Sequence, residues 1–492
     1  MIPVPAGAEK SSRSATALKT VIPAKAGSYL LLTAVLHTLA FCEIGAPWLA
    51  GFAWVAFLPF FLRLKTVTSA RQAFVFGYLT GVAVFVPLLY WLWHVTVFGW
   101  LLLSLGMALY VALFAVIAFW LSRRSALVAV PAAWVVVEWL RANLFSGFGW
   151  ALLGYSQYRF LPLIQISEFT GVYGVSFLVM AVNCVLAELI FELSRGQVRG
   201  LTLTQALGAV LLVVTSLGYG AARLAVAAPA EASSELKVAV IQGNIPQERK
   251  WQPEFADDIF WVHQELTKQS LEQGAELIVW PETSAPGYVN IEPILEETLA
   301  ELAGQGKSAL LVGAPSLDLE TGFFPEYFNS AVLLTEQGIE ERYDKLHLVP
   351  YGEYIPGERW MPVLRQLIVT GDFSPGKTPH VFTLYPQPHH NPQRVEPARF
   401  AVMICFEDVF APQVRSFVRA GAQFLINITN DAWFGRSAAP FQHLAASVFR
   451  AVEFGRSVVR SANTGVSGFV DSYGRIYSPV SGSNGRWTWV EG

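Results

Sequence analysis

Charged residues are scarce in this chain. Asp, Glu, Lys and Arg make up 14% of its 492 residues, whereas soluble domains contain roughly 25%, and the mean hydropathy is +0.42. The scarcity is uneven, because most of the carboxylates and lysines lie after residue 230. The low charged fraction excludes an ordinary soluble protein, and its uneven distribution indicates a membrane half followed by a water-soluble half. The net charge of -3 gives no reason to expect a nucleic-acid partner.

Cysteine is also rare, with three in the whole chain. Cys42 and Cys184 lie in or beside apolar runs, and Cys405 alone lies in the water-soluble half. A single thiol cannot form a disulfide within its domain, so Cys405 is either an inert core residue or a reactive group. The chain also lacks a His/Cys/Asp cluster with zinc spacing, a Rossmann glycine fingerprint, a P-loop and an internal repeat. We therefore predict no metal and no cofactor.

The membrane half contains seven apolar stretches that can be compared with a spanning length of about 20 residues. They are Ser28–Phe41, Pro47–Leu62, Phe74–His94, Trp100–Leu121, Ser125–Leu140, Thr170–Leu193 and Thr204–Leu224. They predict a multi-pass α-helical membrane domain over residues 28–226, preceded by a tail at residues 1–27. The first, second and fifth stretches are short, so a re-entrant or buried segment is an alternative for each.

Basic residues are distributed asymmetrically around these stretches. Lysines and arginines precede the first stretch and follow the second, fourth and sixth, whereas the alternate loops hold only Arg141 and Arg159. By the positive-inside rule the N-terminal tail is cytoplasmic. Seven crossings then place everything after residue 226 outside the cytoplasm.

The water-soluble half, residues 236–480 after a linker at 227–235, alternates strand and helix patterns. This alternation is typical of an α/β domain with helices packed on sheet faces. The predicted strands are Lys237–Gln242, Glu276–Pro281, Ala309–Gly313, Asn329–Leu334, Arg399–Cys405, Phe424–Thr429, Val458–Ser461 and Ser467–Val470. The predicted helices are Pro253–Gln273, Ile291–Gln305, Pro412–Ala420 and Pro440–Phe454. Residues 481–492 are expected to form a polar tail without an apolar span.

Three chemically active side chains stand where apolar runs end. Glu282 closes the run from Leu277, Lys345 follows Tyr343, and Cys405 closes the run from Ala401. Taken singly, a solvated carboxylate, a surface lysine and a core thiol are alternatives. Together they predict catalysis, because a free thiol is only a few per cent thiolate at about pH 7 and needs a base beside it.

These motifs resemble the Glu-Lys-Cys pattern of the nitrilase superfamily, and with the seven leading stretches the chain is similar to the apolipoprotein N-acyltransferase family. The resemblance covers nearly the whole chain in order. Further matching motifs are Glu138–Arg141, Gly154–Gln157, Gln242–Gln247 with Trp251, Asn430–Gly435, Gln442–His443 and Arg460–Gly465. The family normally has Tyr where this chain has Phe406, which leaves an aromatic wall without a hydroxyl. The family also normally ends in a membrane helix, whereas residues 481–492 contain no apolar span.

The resemblance implies an αββα nitrilase-like sandwich attached to the bacterial inner membrane, with the catalytic domain on the periplasmic side. It implies that a phospholipid, typically phosphatidylethanolamine, donates an acyl chain and that the diacylglyceryl-cysteine of an apolipoprotein accepts it. Glu282 would be the base, Lys345 the oxyanion donor and Cys405 the residue that carries the acyl group as a thioester. Glu353 and Glu407 would support Lys345. Trp251, Phe406 and Trp433 are assigned to substrate binding.

One segment carries a separate hypothesis. In Glu358–Thr370, the apolar residues that include Trp360 and Leu364 fall on one helical face. Such a face predicts either core packing or an interfacial surface. We expect an arm that dips into the bilayer and gates substrate entry, with Trp360 and Leu364 binding substrate.

Two other functions fit parts of the sequence. A membrane-tethered amidase of the nitrilase type would pass the acyl group to water, and the triad does not distinguish the two outcomes. The membrane half favours transfer, because a hydrolase of small amides would not need it. A non-enzymatic receptor or transporter is disfavoured by the complete Glu-Lys-Cys set and by spans that lack the charged interior expected of an ion-coupled transporter.

Overall fold

The structure is a computed structural model that describes residues 26–42, 46–121, 127–226, 236–319, 325–357, 372–386, 396–481 and 486–490. The chain divides into two units. The first comprises Met1–Leu92, Thr96–Arg141 and Tyr173–Ser216. The second comprises Trp93–Val95, Ala142–Val172 and Leu217–Gly492.

The first unit is helical and takes up most of the predicted membrane half, residues 28–226, although Ala142–Val172 and the residues from Leu217 onward belong to the second unit. Its helices, some of which continue into the second unit, are α1 (Ala26–Ala40), α2 (Pro47–Leu64, which begins as the 3-10 helix Pro47–Phe52 and is interrupted at Phe57), α3 (Ala70–Leu88), α4 (Val97–Leu121), α5 (Ala129–Asn143), α6 (Val172–Leu193) and α7 (Gly200–Val226). Among the described residues, five of these helices, all but α1 and α5, are long and apolar enough to cross a membrane. The chain is therefore a membrane protein, and seven crossings remain a prediction.

Two features of these helices differ from expectation. The stretch Phe74–His94 is not one helix, because α3 contains Pro87 in its last turn and a separate 3-10 turn covers Tyr90–His94. The spans also contain buried carboxylates. Glu188 is paired with Lys65 and Arg199, and Glu192 with Arg199. These acids lie near the end of α6 and their cations lie outside the helices, so the charges meet at helix ends.

Small residues bring α3 and α4 close together. A Cβ atom at Gly77 would lie 2.4 Å from the Cβ of Ala115, and one at Gly81 would lie 2.7 Å from the Cα of Ala108. Close backbone approach through small residues is the usual way in which helices pack in lipid, where apolar burial alone gives no driving force.

The second unit contains two mixed sheets, each six-stranded in the described residues. The first has the order β12-β1-β2-β3-β4-β5 and the second β11-β10-β9-β8-β7-β6. The strands are β1 (Val238–Gln242), β2 (Leu277–Val279), β3 (Ala309–Asp318), β4 (Glu326–Thr335), β5 (Gly338–Asp344), β6 (Phe382–Leu384), β7 (Ala398–Ile404), β8 (Phe424–Thr429), β9 (Val458–Ala462), β10 (Val466–Val470), β11 (Ile476–Ser481) and β12 (Arg486–Val490).

The two sheets are built in the same way. Each has three parallel strands, β1-β2-β3 or β7-β8-β9, followed by two antiparallel strands, β4-β5 or β10-β11. The parallel strands are joined by helices, which are α8 (Ala256–Glu272), α9 (Pro293–Gly306), α10 (Ala411–Arg419) and α11 (Ala439–Phe454). A sixth strand, β12 or β6, pairs antiparallel at the edge.

The sheets pack face to face with helices outside. Strand β1 contacts β9 and β4 contacts β7, while α8 and α9 cover the first sheet and α10 and α11 the second. The hydroxyl of Ser461 joins the layers by donating to the carbonyls of Ile241 and Val279 at 3.0 Å each. This αββα sandwich after a helical membrane region confirms the predicted fold class.

The eight predicted strands and four predicted helices of this half are all present. Most ends shift by a few residues at most, but β3 continues from its predicted end at Gly313 to Asp318. The strands β5, β6, β11 and β12 were not predicted. The expected polar tail at 481–492 is wrong in part, because Arg486–Val490 form β12 and pair with β1. Trp487 and Trp489 alternate in the sequence with Arg486, Thr488 and Val490, and a period of two residues suits a strand. The helix expected at Glu358–Thr370 lies outside the described residues.

Candidate active site

Three strand ends deliver the predicted catalytic side chains. Glu282 comes three residues after β2, Lys345 directly follows β5, and Cys405 directly follows β7 and begins a 3-10 turn. Each of the strands β2 and β7 is buried and pairs in parallel with a neighbour in its own sheet. Apolar residues therefore continue along each strand almost to the polar side chain that follows it.

Lys345 holds two carboxylates together. Its Nζ lies 2.9 Å from Oε1 of Glu353 and 3.4 Å from Oε1 of Glu282, and the side chain is 1% exposed. The amide Nδ2 of Asn329 donates to both of those oxygens at 2.8 Å. Burial alone would lower the pKa of Lys345, but Glu353 and Glu282 outweigh it and raise that pKa above its ordinary value. Lys345 is therefore an ammonium group at neutral pH.

Glu282 is fixed by its second oxygen as well. The backbone N–H of Asn430 donates to Oε2 at 3.0 Å. Asn430 directly follows β8 in the second sheet, so this bond joins strand ends of the two sheets. The carboxylate that would act as base is thereby held between Lys345, Asn329 and the main chain.

Cys405 is buried and has an unusual backbone. Its φ is +56°, in the left-handed region that residues other than glycine rarely adopt. Burial and then the charge of Glu282 raise the pKa of the thiol, whereas Lys345 and a hydrogen bond from Thr429 lower it. The net shift is upward, so at neutral pH the resting group is a protonated thiol whose proton must pass to a base.

Glu407 acts on the same site through the backbone. It was expected to hold Lys345 charged, yet the hydrogen bonds it accepts come from other groups. They come from the backbone N–H of Leu346 at 2.8 Å, His347 at 3.1 Å and Ile404 at 2.8 Å, and from the side chains of Tyr343 at 2.9 Å and Gln413 at 2.7 Å. Glu407 thus ties the chain after Lys345 to the strand end before Cys405, and burial raises its pKa.

The residues predicted to bind substrate differ in placement. The ring of Phe406 lies 5.8 Å from Nζ of Lys345 and 5.1 Å from the ring of Phe410, so it forms an aromatic wall beside the ammonium. Trp251 is 54% exposed and Trp433 is 45% exposed, which leaves both indoles open to a ligand. Trp360 and Leu364 lie outside the described residues.

Sequence reasoning missed one cation near the reactive groups. Lys250 ends a short helical turn, and its Nζ donates to the main-chain carbonyl of Glu282 at 2.7 Å. Burial lowers the pKa of Lys250 to about 8, against the charges of Glu282 and Cys405, which raise it. In the sequence, Lys250 lies between the motif Gln242–Gln247 and Trp251, and this position could have indicated that it lies near the site. Asn329 was also missed, because it looked like an ordinary strand residue.

Within the described ranges, no cluster of three or more His, Cys, Asp or Glu side chains could hold a metal ion.

Two protein-family models match this chain. Residues 33–185 match the apolipoprotein N-acyltransferase N-terminal domain, and residues 237–487 match carbon-nitrogen hydrolase. The second match extends past the predicted domain end at residue 480 and reaches into β12. Among solved structures, a nitrilase-superfamily amidase from Nesterenkonia aligns with 53% of this chain and 91% of its own, at 19% identity and a TM-score of 0.38.

Curated relatives cover almost the full length. Apolipoprotein N-acyltransferase of Geobacter metallireducens is 38% identical over 92% of this chain and 87% of its own. The enzyme of the same name from Methylococcus capsulatus is 33% identical over 86% of this chain and 83% of its own. The resemblance noted in the motifs is thereby confirmed. This chain belongs to the apolipoprotein N-acyltransferase family.

Proposed function

We propose that this acyltransferase moves an acyl chain from a membrane phospholipid, through a thioester on Cys405, to the α-amine of the diacylglyceryl-cysteine at the N-terminus of an apolipoprotein. The observation that carries the proposal is the convergence of Glu282, Lys345 and a left-handed Cys405 at three strand ends. The family to which the chain belongs supports the donor and acceptor classes.

In the first half-reaction, Glu282 accepts the proton of the Cys405 thiol while sulfur attacks the ester carbonyl of the phospholipid. The carbonyl oxygen becomes an oxyanion, and the ammonium of Lys345 stabilises it. When the intermediate collapses, the C–O bond breaks and Glu282 returns the proton to the departing alcohol. The products are an acyl thioester on Cys405 and a lysophospholipid.

In the second half-reaction, the neutral amine of the acceptor attacks the thioester carbonyl. Glu282 accepts a proton from the attacking nitrogen, Lys345 again stabilises the oxyanion, and the C–S bond breaks. The thiolate of Cys405 then regains the proton from Glu282. The amide product leaves and the enzyme returns to its first state, so the kinetics are ping-pong.

Hydrolysis is the competing outcome, because water could attack the same thioester. A specific observation favours the amine. The same chain carries membrane-spanning helices and a family match over them, at residues 33–185, that a hydrolase of soluble amides would not require.

The products decide between the candidate functions. We expect purified protein given phosphatidylethanolamine and a diacylated lipopeptide to yield triacylated lipopeptide and lysophospholipid in equal amounts, measured by mass spectrometry. Free fatty acid in place of the triacylated product would indicate an amidase-like hydrolase. If neither product forms, a receptor or transporter is the better explanation. A lipopeptide with an acetylated amine is the matched control and should yield no triacylated lipopeptide and no more lysophospholipid than the enzyme forms alone.

We also propose that the catalytic domain, which follows residue 226, lies on the periplasmic side of the inner membrane, because the basic residues cluster before α1 and in alternate loops. Ile294 on α9 is 81% exposed and gives a labelling position. In spheroplasts, Ile294→Cys should react with a membrane-impermeant maleimide, whereas Lys19→Cys should react only after the membrane is permeabilised. The reverse pattern would overturn the orientation. The unmodified chain measures the background from its three cysteines.

A further inference from the structure

A buried group of four charged side chains lies beneath the nucleophile and has no part in the reaction steps above. Asp408, Asp431, His443 and Arg460 are each 0% exposed. They come from four places in the second sheet and its helices, namely the turn after β7, the turn after β8, helix α11 and strand β9. We call these four residues the buried ionic cluster.

The cluster is closely bonded. His443 lies with Nδ1 3.0 Å from Oδ1 of Asp431 and with Nε2 3.2 Å from Oδ1 of Asp408. Arg460 donates to Oδ2 of Asp431 at 3.0 Å and lies 3.7 Å from Oδ2 of Asp408. Arg460 and, when protonated, His443 therefore face two carboxylates, and Nη2 of Arg460 also lies 3.0 Å from Nδ1 of His443. Such arrangements are costly to break because each removed partner leaves a buried charge.

The cluster reaches Cys405 through its carbonyl oxygen. Nε2 of His443 lies 3.3 Å from that oxygen, and Nδ2 of Asn427 donates to it at 2.8 Å. Arg460 fixes the same asparagine by donating to its Oδ1 at 2.6 Å. Nε2 of His443 faces two acceptors, the Cys405 carbonyl and Asp408, so Nε2 carries the proton.

The charge of His443 follows from its neighbours. Burial and the nearby guanidinium of Arg460 lower the pKa of His443, but Asp408 and Asp431 outweigh them and raise it to about 9. The donor to the Cys405 carbonyl is therefore a cation at neutral pH, and hydrogen bonds from charged donors are stronger than neutral ones. A strong donor at this point matters because Cys405 adopts φ of +56°, a conformation that persists only where surrounding groups enforce it.

We propose that His443 is a positioning residue for the nucleophile: it fixes the carbonyl of Cys405 and, through that backbone, the direction in which the thiol enters the site. The inference rests on the proposed role of Cys405. Asp408, Asp431 and Arg460 act one step further away by holding the imidazole and Asn427. The side chain of His443 does not touch the substrate.

The reactivity of Cys405 tests this role without any lipid. In His443→Gln, we expect iodoacetamide to alkylate Cys405 on the order of 10- to 100-fold more slowly than in the unchanged protein, since small misplacements of a reacting group have effects of that size. Simple loosening of the fold would do the opposite, because it would expose a buried thiol and speed alkylation. Acylation by phospholipid should slow by a similar factor, with KM for the phospholipid unchanged.

A matched variant controls for the loss of a buried imidazole. His263 is 1% exposed and lies on α8, a helix that covers the other sheet. In His263→Gln, Cys405 should therefore be alkylated at a rate within about twofold of that in the unchanged protein. If His443→Gln does not fold, Asp431→Asn is used in its place. Asparagine has nearly the same shape as aspartate, and the change removes one carboxylate from beside the imidazole of His443. It too should slow alkylation.

The outcomes separate the two proposals. Unchanged or faster alkylation of folded His443→Gln, or of folded Asp431→Asn, would overturn the positioning role. Slowed alkylation together with no acylation of the unchanged protein by any phospholipid would leave His443 in its role and contradict the proposed donor instead.

Discussion

Phospholipid alone, without an acceptor, should convert the protein to an adduct that is heavier by one acyl group and is attached to Cys405. The adduct is expected because the first half-reaction needs no amine. Neutral hydroxylamine should release it, as it releases thioesters, and a diacylated lipopeptide should release it as triacylated product. Intact-protein and peptide mass spectrometry measure each step. Cys405→Ala should form no adduct and lose turnover by on the order of ten thousand-fold or more.

Other variants locate the adduct and the base. Cys405→Ser should not turn over, because an alkoxide is a poorer leaving group than a thiolate. Glu282→Gln should slow formation of the adduct, because the thiol, whose pKa burial raises, keeps its proton. Cys42→Ala and Cys184→Ala are the matched controls and should leave the adduct intact. An adduct on Cys42 or Cys184, or one that persists in Cys405→Ala, would refute the mechanism.

Replacing Lys345 by methionine should slow acylation itself by roughly 100- to 1,000-fold, because the oxyanion forms in that step and loses its charged donor. The same change leaves Glu282 and Glu353 buried without their shared cation, so we also expect a loss of about 3–5 kcal/mol of unfolding free energy. Single-turnover formation of the adduct measures the rate of acylation. Thermal unfolding in detergent measures the change in the free energy of unfolding.

Two further variants separate chemistry from stability. Lys268 on α8 is a partly exposed lysine that pairs with Glu265 at 2.8 Å, and Lys268→Met should leave acylation unchanged and cost less than about 1 kcal/mol. Glu353→Gln keeps an acceptor for the Lys345 ammonium and should slow acylation less than Lys345→Met does. Acylation by folded Lys345→Met at the rate of the unchanged protein would rule out the oxyanion role.

The strand ends at Glu282 and Cys405 could be predicted from the sequence because the strands that lead to them are central in their sheets. The strands β2 and β7 lie between neighbours in their sheets. The residues from Leu277 and from Phe400 onward are therefore apolar, and these runs stop at Glu282 and Cys405. Strand β5, which carries Lys345, lies at an edge and bears Glu340, Glu341 and Arg342. No buried pattern marks such a strand, and it was not predicted, although Lys345 itself was.

The contacts around the triad could not be predicted in the same way. Asn329 bonds Glu282 across 47 positions of sequence, and the backbone N–H of Asn430 reaches the same side chain across 148. Only the packing of strands and sheets brings such groups together. Glu407 could be named from its motif, but its bonds to the backbone beside Lys345 depend on where β5 ends relative to β7.

The matching order of strands in the two sheets has a consequence for how this domain could have arisen. Strands β1 to β5 with α8 and α9 have the same order as β7 to β11 with α10 and α11, a pattern typical of gene duplication, although no repeat is visible in the residues. The two halves also exchange a strand. Strand β6 follows β5 in the chain but pairs with β7 in the second sheet, and β12 follows β11 but pairs with β1 in the first sheet. Each sheet is therefore complete only when both halves are present. Glu282 and Lys345 belong to one half and Cys405 to the other, so bringing these three side chains together also requires both halves.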